Sequence, residues 1–397
     1  MQSNLISRRA LLSGLSLLTL SACSTGGFDF GNFGGPSQPP DNGLNLPLAE
    51  GKTFGTGPVR VALLLPLTGD AAVVGTSMAN GAQLAIEFIA GNASIADNIT
   101  IVLKDTGPSA QGAALAAQQA VGEGASLILG PLKADQVSAA GGVARSAGIP
   151  LIGFSNNSGA AQPGVYLLNV LPESEAKRSL RYAQSLGKRA FAGIFPNSDY
   201  GRIQQSAFQQ ATSELGIRVV GIYNFSSEAE ARDVVTQIAP TLLAGQVDTL
   251  FLPDRATAPS FGVLFEEAKV AAGAIQIVGS ADWNGDLQIS STPYLSGALY
   301  PAVDDQGFQA LLPLYTQRFG GTPHPFVTIA YTAVILANVS SLSMGTPRYD
   351  RSLLTNPAGF NGRDGVFRFL SDGRSEYALV MKKVTMGGAQ LVDGAKL

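Results

Sequence analysis

Covalent hydrolysis needs an activated nucleophile, and activation usually comes from a histidine held beside it. This 397-residue chain has one cysteine, Cys23, and one histidine, His324, 301 positions apart by their numbers. One cysteine makes no intramolecular disulfide, and one Cys with one His leaves little for a zinc site. His324 stands in Gly321-Thr322-Pro323-His324-Pro325-Phe326, between two prolines, where a turn role suits it better than base catalysis. Ser174-Glu175-Ala176-Lys177 has the Ser-x-x-Lys spacing of penicillin-recognising enzymes, and Ser198-Asp199 faintly matches a second motif of theirs. The Lys-Thr-Gly element is missing, so the spacing reads as chance. Gly51-Lys52-Thr53 looks like the end of a phosphate-binding loop, but the upstream glycine of that motif is Leu46 here. Glu266-Glu267 reads as a solvated helix face. A non-catalytic chain without cofactor or metal is the expectation.

Cys23 has a different chemistry available. Arg8 and Arg9 form a basic start, Ala10 to Leu20 is mostly apolar, and Ser21 and Ala22 precede the cysteine. That order is an export signal, and its apolar part is too short to span a bilayer comfortably. Leu20-Ser21-Ala22-Cys23 resembles the lipobox of bacterial lipoproteins. The resemblance implies cleavage before Cys23, a diacylglycerol on its sulfur and an acylated amine. Several acyl chains anchor stably where one would be marginal. Ser7-Arg8-Arg9-Ala10-Leu11 also looks like a twin-arginine signal. Ser24, by the enterobacterial rule, leans toward the outer membrane. Of 26 Lys and Arg, Arg8 and Arg9 would leave with residues 1–22, so 24 would face 29 Asp and Glu. No basic stripe appears, which argues against a nucleic-acid partner.

Residues 23–57 comprise this cysteine and a Gly, Pro, Asn and Asp-rich stretch that reads as a flexible tether. From Val59 the pattern alternates. VRVALLLPL, ITIVLKDT, SLILGP and PLIGFSN read as strands buried on both faces, with helical spacing between them. RAFAGIFPN, IRVVGIYNF, VDTLFLPD and IQIVGSADW form a second buried series, with helices starting near Tyr200, Glu228 and Pro259. Residues 307–344 read as mostly helical, and GVFRFLSDGRSEYALVMKKV as a hairpin turning at Asp372-Gly373. The fold class is therefore α/β, with two doubly wound parallel-sheet lobes and a cleft between them. Ligand-facing loops should follow the strand ends: 66–75, 130–135, 153–159, 196–201, 252–257 and 279–285.

The stretches VALLLPLTGDAAVVGTSMANGAQLAIE, SLILGPLKADQVSAAGGVARSAGIPLIGFSNN and FPNSDYGRIQQSAFQQATSELGIRVVG resemble the type I periplasmic-binding fold, specifically its Leu/Ile/Val-binding branch. The resemblance implies three crossovers, with lobe 1 at 58–171 plus 302–358 and lobe 2 at 172–301 plus 359–397. It implies hinge closure over a small polar, amino-acid-like solute delivered to an ABC permease or a sensor. That family binds the ligand carboxylate with a serine-rich loop. Here the loop is Leu132-Lys133-Ala134-Asp135. The next loop offers Ser155, Asn156 and Asn157. Tyr200-Gly201 matches a family Tyr-Gly whose ring packs on the ligand, and Asp282 falls near an acid that holds the amino group. IPLIGFSNNSGAAQPGVYLLNVLPESEAKRSL resembles penicillin-binding-protein activators of the same fold, lipoproteins that stimulate a peptidoglycan synthase. The alternative expectation is such a regulator, with a penicillin-binding protein as partner.

Overall fold

The computed structural model of the chain describes residues 51–397. The expected leader, Cys23 and most of the expected tether lie outside the described residues.

The first sheet is built from runs of β-branched and leucine residues that leave no polar face. Its strands are β1 (Thr53–Phe54), β2 (Val59–Leu65), β3 (Ile99–Asp105), β4 (Leu127–Leu129), β5 (Leu151–Gly153) and β6 (Val165–Leu167). They lie in the order β1-β3-β2-β4-β5-β6, parallel except for β1. Helices α1 (Ala72–Ala90), α2 (Ala110–Gly122) and α3 (Ala134–Ser146) connect them. Alanines 113, 116, 117, 120, 140 and 144 are buried in one cluster, which lets α2 and α3 lie close against the sheet. The tether ends earlier than residue 57. Gly51 N–H donates to Leu103 O at 3.0 Å, Thr53 and Phe54 pair with Val102 and Ile101, and Phe54 is buried in the core. The exposed flank of β3 is what this short strand covers.

The second lobe starts with α4 (Pro172–Ser185) and continues through β7 (Ala190–Pro196), α5 (Asp199–Glu214), β8 (Arg218–Phe225), α6 (Glu228–Leu243), β9 (Thr249–Phe251), α7 (Ala258–Glu267), β10 (Gln276–Val278), the short α8 (Leu287–Ser291) and β11 (Leu299–Ala302). After α9 (Gln306–Phe319) and α10 (Val327–Asn338), the strands are β12 (Phe360–Gly362), β13 (Gly365–Phe369), β14 (Ser375–Tyr377), β15 (Leu379–Thr385) and β16 (Gly388–Lys396). The second sheet runs β16-β15-β11-β10-β9-β7-β8. β8 differs from expectation. It is an edge strand with Arg218 and Val219 exposed and Val220 to Tyr223 only partly buried.

Helices α9 and α10 return to the first lobe, where Val327, Ala330 and Val334 join the core of β2 and α1. The return to the second lobe comes later than residue 359. Phe367, Phe369 and Tyr377 of the small β12-β13-β14 sheet belong to the first lobe's core, and only β15 and β16 enter the second sheet. The expected hairpin forms between β13 and β14. Its turn carries Gly373 at φ 92°, and Gly373 O accepts the Leu167 N–H at 2.9 Å. That bond fastens the turn to β6 and explains why the hairpin stays with the first lobe. Three crossovers result, at 168–171, 303–305 and Ala378.

The two lobes start alike. The helix after the first parallel strand of each lobe presses a glycine onto the carbonyl of a proline that ends or follows that strand. A Cβ on Gly75 would sit 1.9 Å from Pro66 O, and one on Gly201 1.8 Å from Pro196 O. Only glycine permits that approach. It brings the first turns of α1 and α5 down onto the strand ends, where the cleft-facing loops are.

Candidate ligand site between the lobes

The site is best built from Pro253, which follows β9. Its carbonyl accepts three donors: Ser280 Oγ at 2.8 Å, Trp283 Nε1 at 3.1 Å and Tyr200 OH at 3.2 Å. Tyr200 OH also lies 3.1 Å from Ser280 Oγ. Ser198 caps α5 by accepting the Gly201 N–H at 3.1 Å, so Tyr200 sits in a fixed first turn. Gly279 leaves no room for a side chain, because a Cβ there would meet Trp283 Cδ2 at 2.3 Å. The indole therefore packs over the end of β10 and holds the Ala281–Trp283 turn that carries Asp282.

Asp282 lies close enough to Tyr200 for each to act on the other's ionisation. Burial, then the charge of Asp282, pushes the Tyr200 hydroxyl well above the usual tyrosine range. Burial also raises the Asp282 carboxyl, against the influence of Tyr200 and the charge of Arg255. Arg255 itself pairs with Asp286 at 3.2 Å.

A third acid completes the set. Glu175, in the first turn of α4, accepts the Ala281 N–H at 3.2 Å. Burial, followed by the charges of Asp282 and Glu173, pushes its carboxyl up to about 8. Two carboxylates in low-dielectric surroundings repel, and one proton or one cation relieves them. A cluster of that kind favours taking up a proton or a positive charge.

The first lobe meets α4 at Glu173. Its Oε1 accepts the Ser158 hydroxyl at 2.5 Å. Ser155 is buried and its Oγ accepts the Asn157 N–H at 3.1 Å. Asn157 Oδ1 accepts the Gly159 N–H at 2.9 Å. Both side chains thus shape the loop they belong to, while Asn156 is half-buried. Lys133 occupies the neighbouring loop, with its ammonium 3.4 Å from Asp70. The structure therefore brings Tyr200 and Asp282 into one cluster, while Ser155, Asn156 and Asn157 lie in the first-lobe loop whose Ser158 bonds to Glu173. Cys23 lies outside the described residues. Glu173 and Glu175 were missed in the sequence, where Glu175 appears only as an inner position of the Ser174–Lys177 spacing. The available signal was their position directly after the first crossover.

His324 takes the turn role that its prolines suggest. Its N–H donates to Ser77 Oγ at 2.8 Å, and its Nδ1 accepts the Phe326 N–H at 3.2 Å. Burial pulls its imidazole down to about 4. Among the described residues no helix is long and apolar enough to cross a membrane, and no group of three His, Cys, Asp or Glu could hold a metal ion.

Two α/β lobes joined by three crossovers, with a cluster of polar side chains at their junction, have the architecture of a two-lobe binding protein. A profile of the periplasmic binding proteins matches residues 58–338, and the chain belongs to that family. No curated protein matches the sequence. A putative branched-chain amino acid ABC transporter protein from Rhodospirillum rubrum superposes with a TM-score of 0.70 at 20% identity, over 84% of this chain and 99% of that one. An ABC transporter substrate-binding protein from Desulfitobacterium hafniense gives 0.64 at 16% identity, over 84% and 99%. A leucine binding protein from Thermotoga maritima gives 0.54 at 18% identity, over 85% and 99%. The expected likeness to the Leu/Ile/Val branch is thus met in the fold.

Proposed function

We propose that this protein is an extracytoplasmic, lipid-anchored receptor for a small, polar, amine-bearing solute of amino-acid type, working without catalysis in a transport or sensing system. The observation that carries the reading is the Glu175–Asp282–Tyr200 cluster at the lobe junction. An ammonium group entering it would let both carboxylates ionise and would accept cation–π contact from Tyr200. Ser155, Asn156 and Asn157, with backbone amides of their loop, would face the other end of the solute. Affinity for the closed arrangement would shift the lobes from open to closed. Lipidation at Cys23 would hold the receptor at a membrane, the outer one favoured, and the partner would be an ABC permease.

The test is a thermal-shift screen of the protein against common amino acids, short peptides and muropeptide fragments. A ligand at about 100 times its Kd adds about 2.7 kcal/mol of stability. The reading expects a clear shift for one amine-bearing class, lost in Asp282→Ala. A screen without any shift overturns it and favours the second reading, a penicillin-binding-protein activator acting by protein contact. Pull-down of peptidoglycan synthases would then decide.

A further inference from the structure

A cavity of about 360 Å³ lies within the second lobe, and none of Glu175, Tyr200 and Asp282 lines it. It opens between the first two turns of α6 and the facing side of α7, next to the end of β8. The residue of its wall nearest in sequence to the cluster at the lobe junction is Thr257, which follows the loop of Pro253.

The floor of the cavity is apolar. Phe225 and Phe261 meet edge to face, with ring centroids 5.1 Å apart and planes at 71°. Ala231 and Leu264 complete it, each buried in the second lobe's core. A side chain longer than Ala231 would project into the space. Val263, 53% exposed, adds an apolar lip.

The rim is polar, but its two charged side chains are already paired. Arg232 Nη2 lies 3.2 Å from Glu228 Oε1, and its Nη1 lies 2.8 Å from Glu267 Oε2. An ionic ligand would have to compete with these pairs. The hydroxyls are better placed to serve a guest. Ser227 Oγ accepts the Glu230 N–H at 3.2 Å and keeps its own proton to donate. Thr257 Oγ1 donates to Asp254 Oδ2 at 2.6 Å and keeps lone pairs to accept. Ser260 stands exposed at the mouth. One neutral group can therefore find both a donor and an acceptor at this rim.

Size separates a small guest from a protein. Ten residues line the space. A standard protein interface engages about 20–30 residues a side, whereas small-molecule sites span about 300–1,000 Å³. We infer that the cavity is a second binding site, for a small uncharged molecule that joins an aromatic ring to a hydroxyl or amide. Its ring packs on Phe225 and Phe261, where offset and edge-to-face contacts with a further ring are favourable. Its polar end bonds to Ser227 and Thr257.

The test titrates the full chain with 4-fluorophenol and follows the fluorine signal of the phenol. The parent protein should broaden and shift that signal saturably. The charged relatives 4-fluorobenzoate and 4-fluorobenzylamine should bind about tenfold more weakly or worse, since no unpaired charge awaits them. Ser260→Trp closes the mouth from an exposed position and should weaken the phenol about tenfold or more. Ala231→Leu fills the floor and gives the same readout if the tryptophan seats elsewhere. A parent protein without saturable binding overturns the site, and so does an affinity that survives both variants. Equal affinity for all three probes overturns the neutral class. A loss in Asp282→Ala in place of the groove variants would put the phenol at the lobe junction and overturn the second site as well. None of these outcomes depends on the identity of the solute bound between the lobes.

Discussion

Glu175 Oε2 accepts the Ala281 N–H at 3.2 Å, which pins a carboxylate from α4 against the loop that bears Asp282. One backbone donor does not offset two negative charges in a partly enclosed site. Glu175 answers the repulsion by keeping its proton well above the usual carboxylate range.

A pH dependence follows from this pair. Glu175 is raised to about 8 in the folded protein, above its unfolded value of 4.5. The folded state therefore holds a proton that the unfolded state has lost between those values. The stability this contributes is fully present below pH 4.5 and disappears as pH rises through 8. Ligand-free melting temperature should fall between pH 6 and pH 9, and Glu175→Gln should flatten that fall. Differential scanning calorimetry over this range checks it. A parent and variant with parallel profiles would show that Glu175 ionises normally.

Tyr200→Phe isolates the phenol. Pro253 O keeps Ser280 and Trp283 as donors, so no buried carbonyl is orphaned. Asp282 loses the nearby hydroxyl that opposes its protonation. The expected cost is about 1 kcal/mol of stability, the net worth of one hydrogen bond. Tyr200→Ala should cost several kcal/mol by leaving a cavity as well. Chemical denaturation of both variants measures this, and equal losses would mean that the hydroxyl rather than the ring carries the packing.

The fold was legible because buried parallel strands announce themselves as unbroken apolar runs, as in Val61 to Leu65. β8 was misjudged because the run at 217–225 has the same composition, while edge or centre is decided by chain topology. The transfer at 359 was misjudged for a related reason. Phe367 and Tyr377 are as apolar as any second-lobe strand, and contacts distant in sequence, their packing in the first lobe's core and the bond from Leu167 to Gly373, assign them to the first lobe. In the site, Tyr200 and Asp282 were accessible through their loops. Glu175 was not, since its role depends on a helix and a loop more than 100 residues apart meeting in space.

Two glycine substitutions separate backbone approach from helix propensity. Gly201→Ala puts a methyl 1.8 Å from Pro196 O, and the contact is with backbone that has nowhere to move. A loss of about 3 kcal/mol or more is expected, as for severe overpacking. Gly142→Ala, inside α3 with nothing within 4 Å, should instead stabilise by about 0.5–1 kcal/mol. Urea denaturation of the pair checks both signs. Tolerance of alanine at 201 would mean that α5 can lift off the end of β7.

The second crossover is clamped from β15. Lys382 Nζ donates to Asp305 Oδ2 at 2.6 Å and to Asn284 Oδ1 at 2.9 Å, and Asn284 Nδ2 donates to Asp305 Oδ1 at 3.3 Å. Lys382 is 15% exposed and Asp305 45%, so solvent screens one side of the pair. Lys382→Met keeps the apolar stem and removes the charge, and the expected global cost is about 1 kcal/mol or less. The local consequence should be larger. Residues 303–306 lose the group that fixes Asp305, and their amides should exchange hydrogen faster while those of β2 and β7 do not change. Unchanged exchange at 303–306 would show that the crossover is held by packing around Val303 rather than by this clamp.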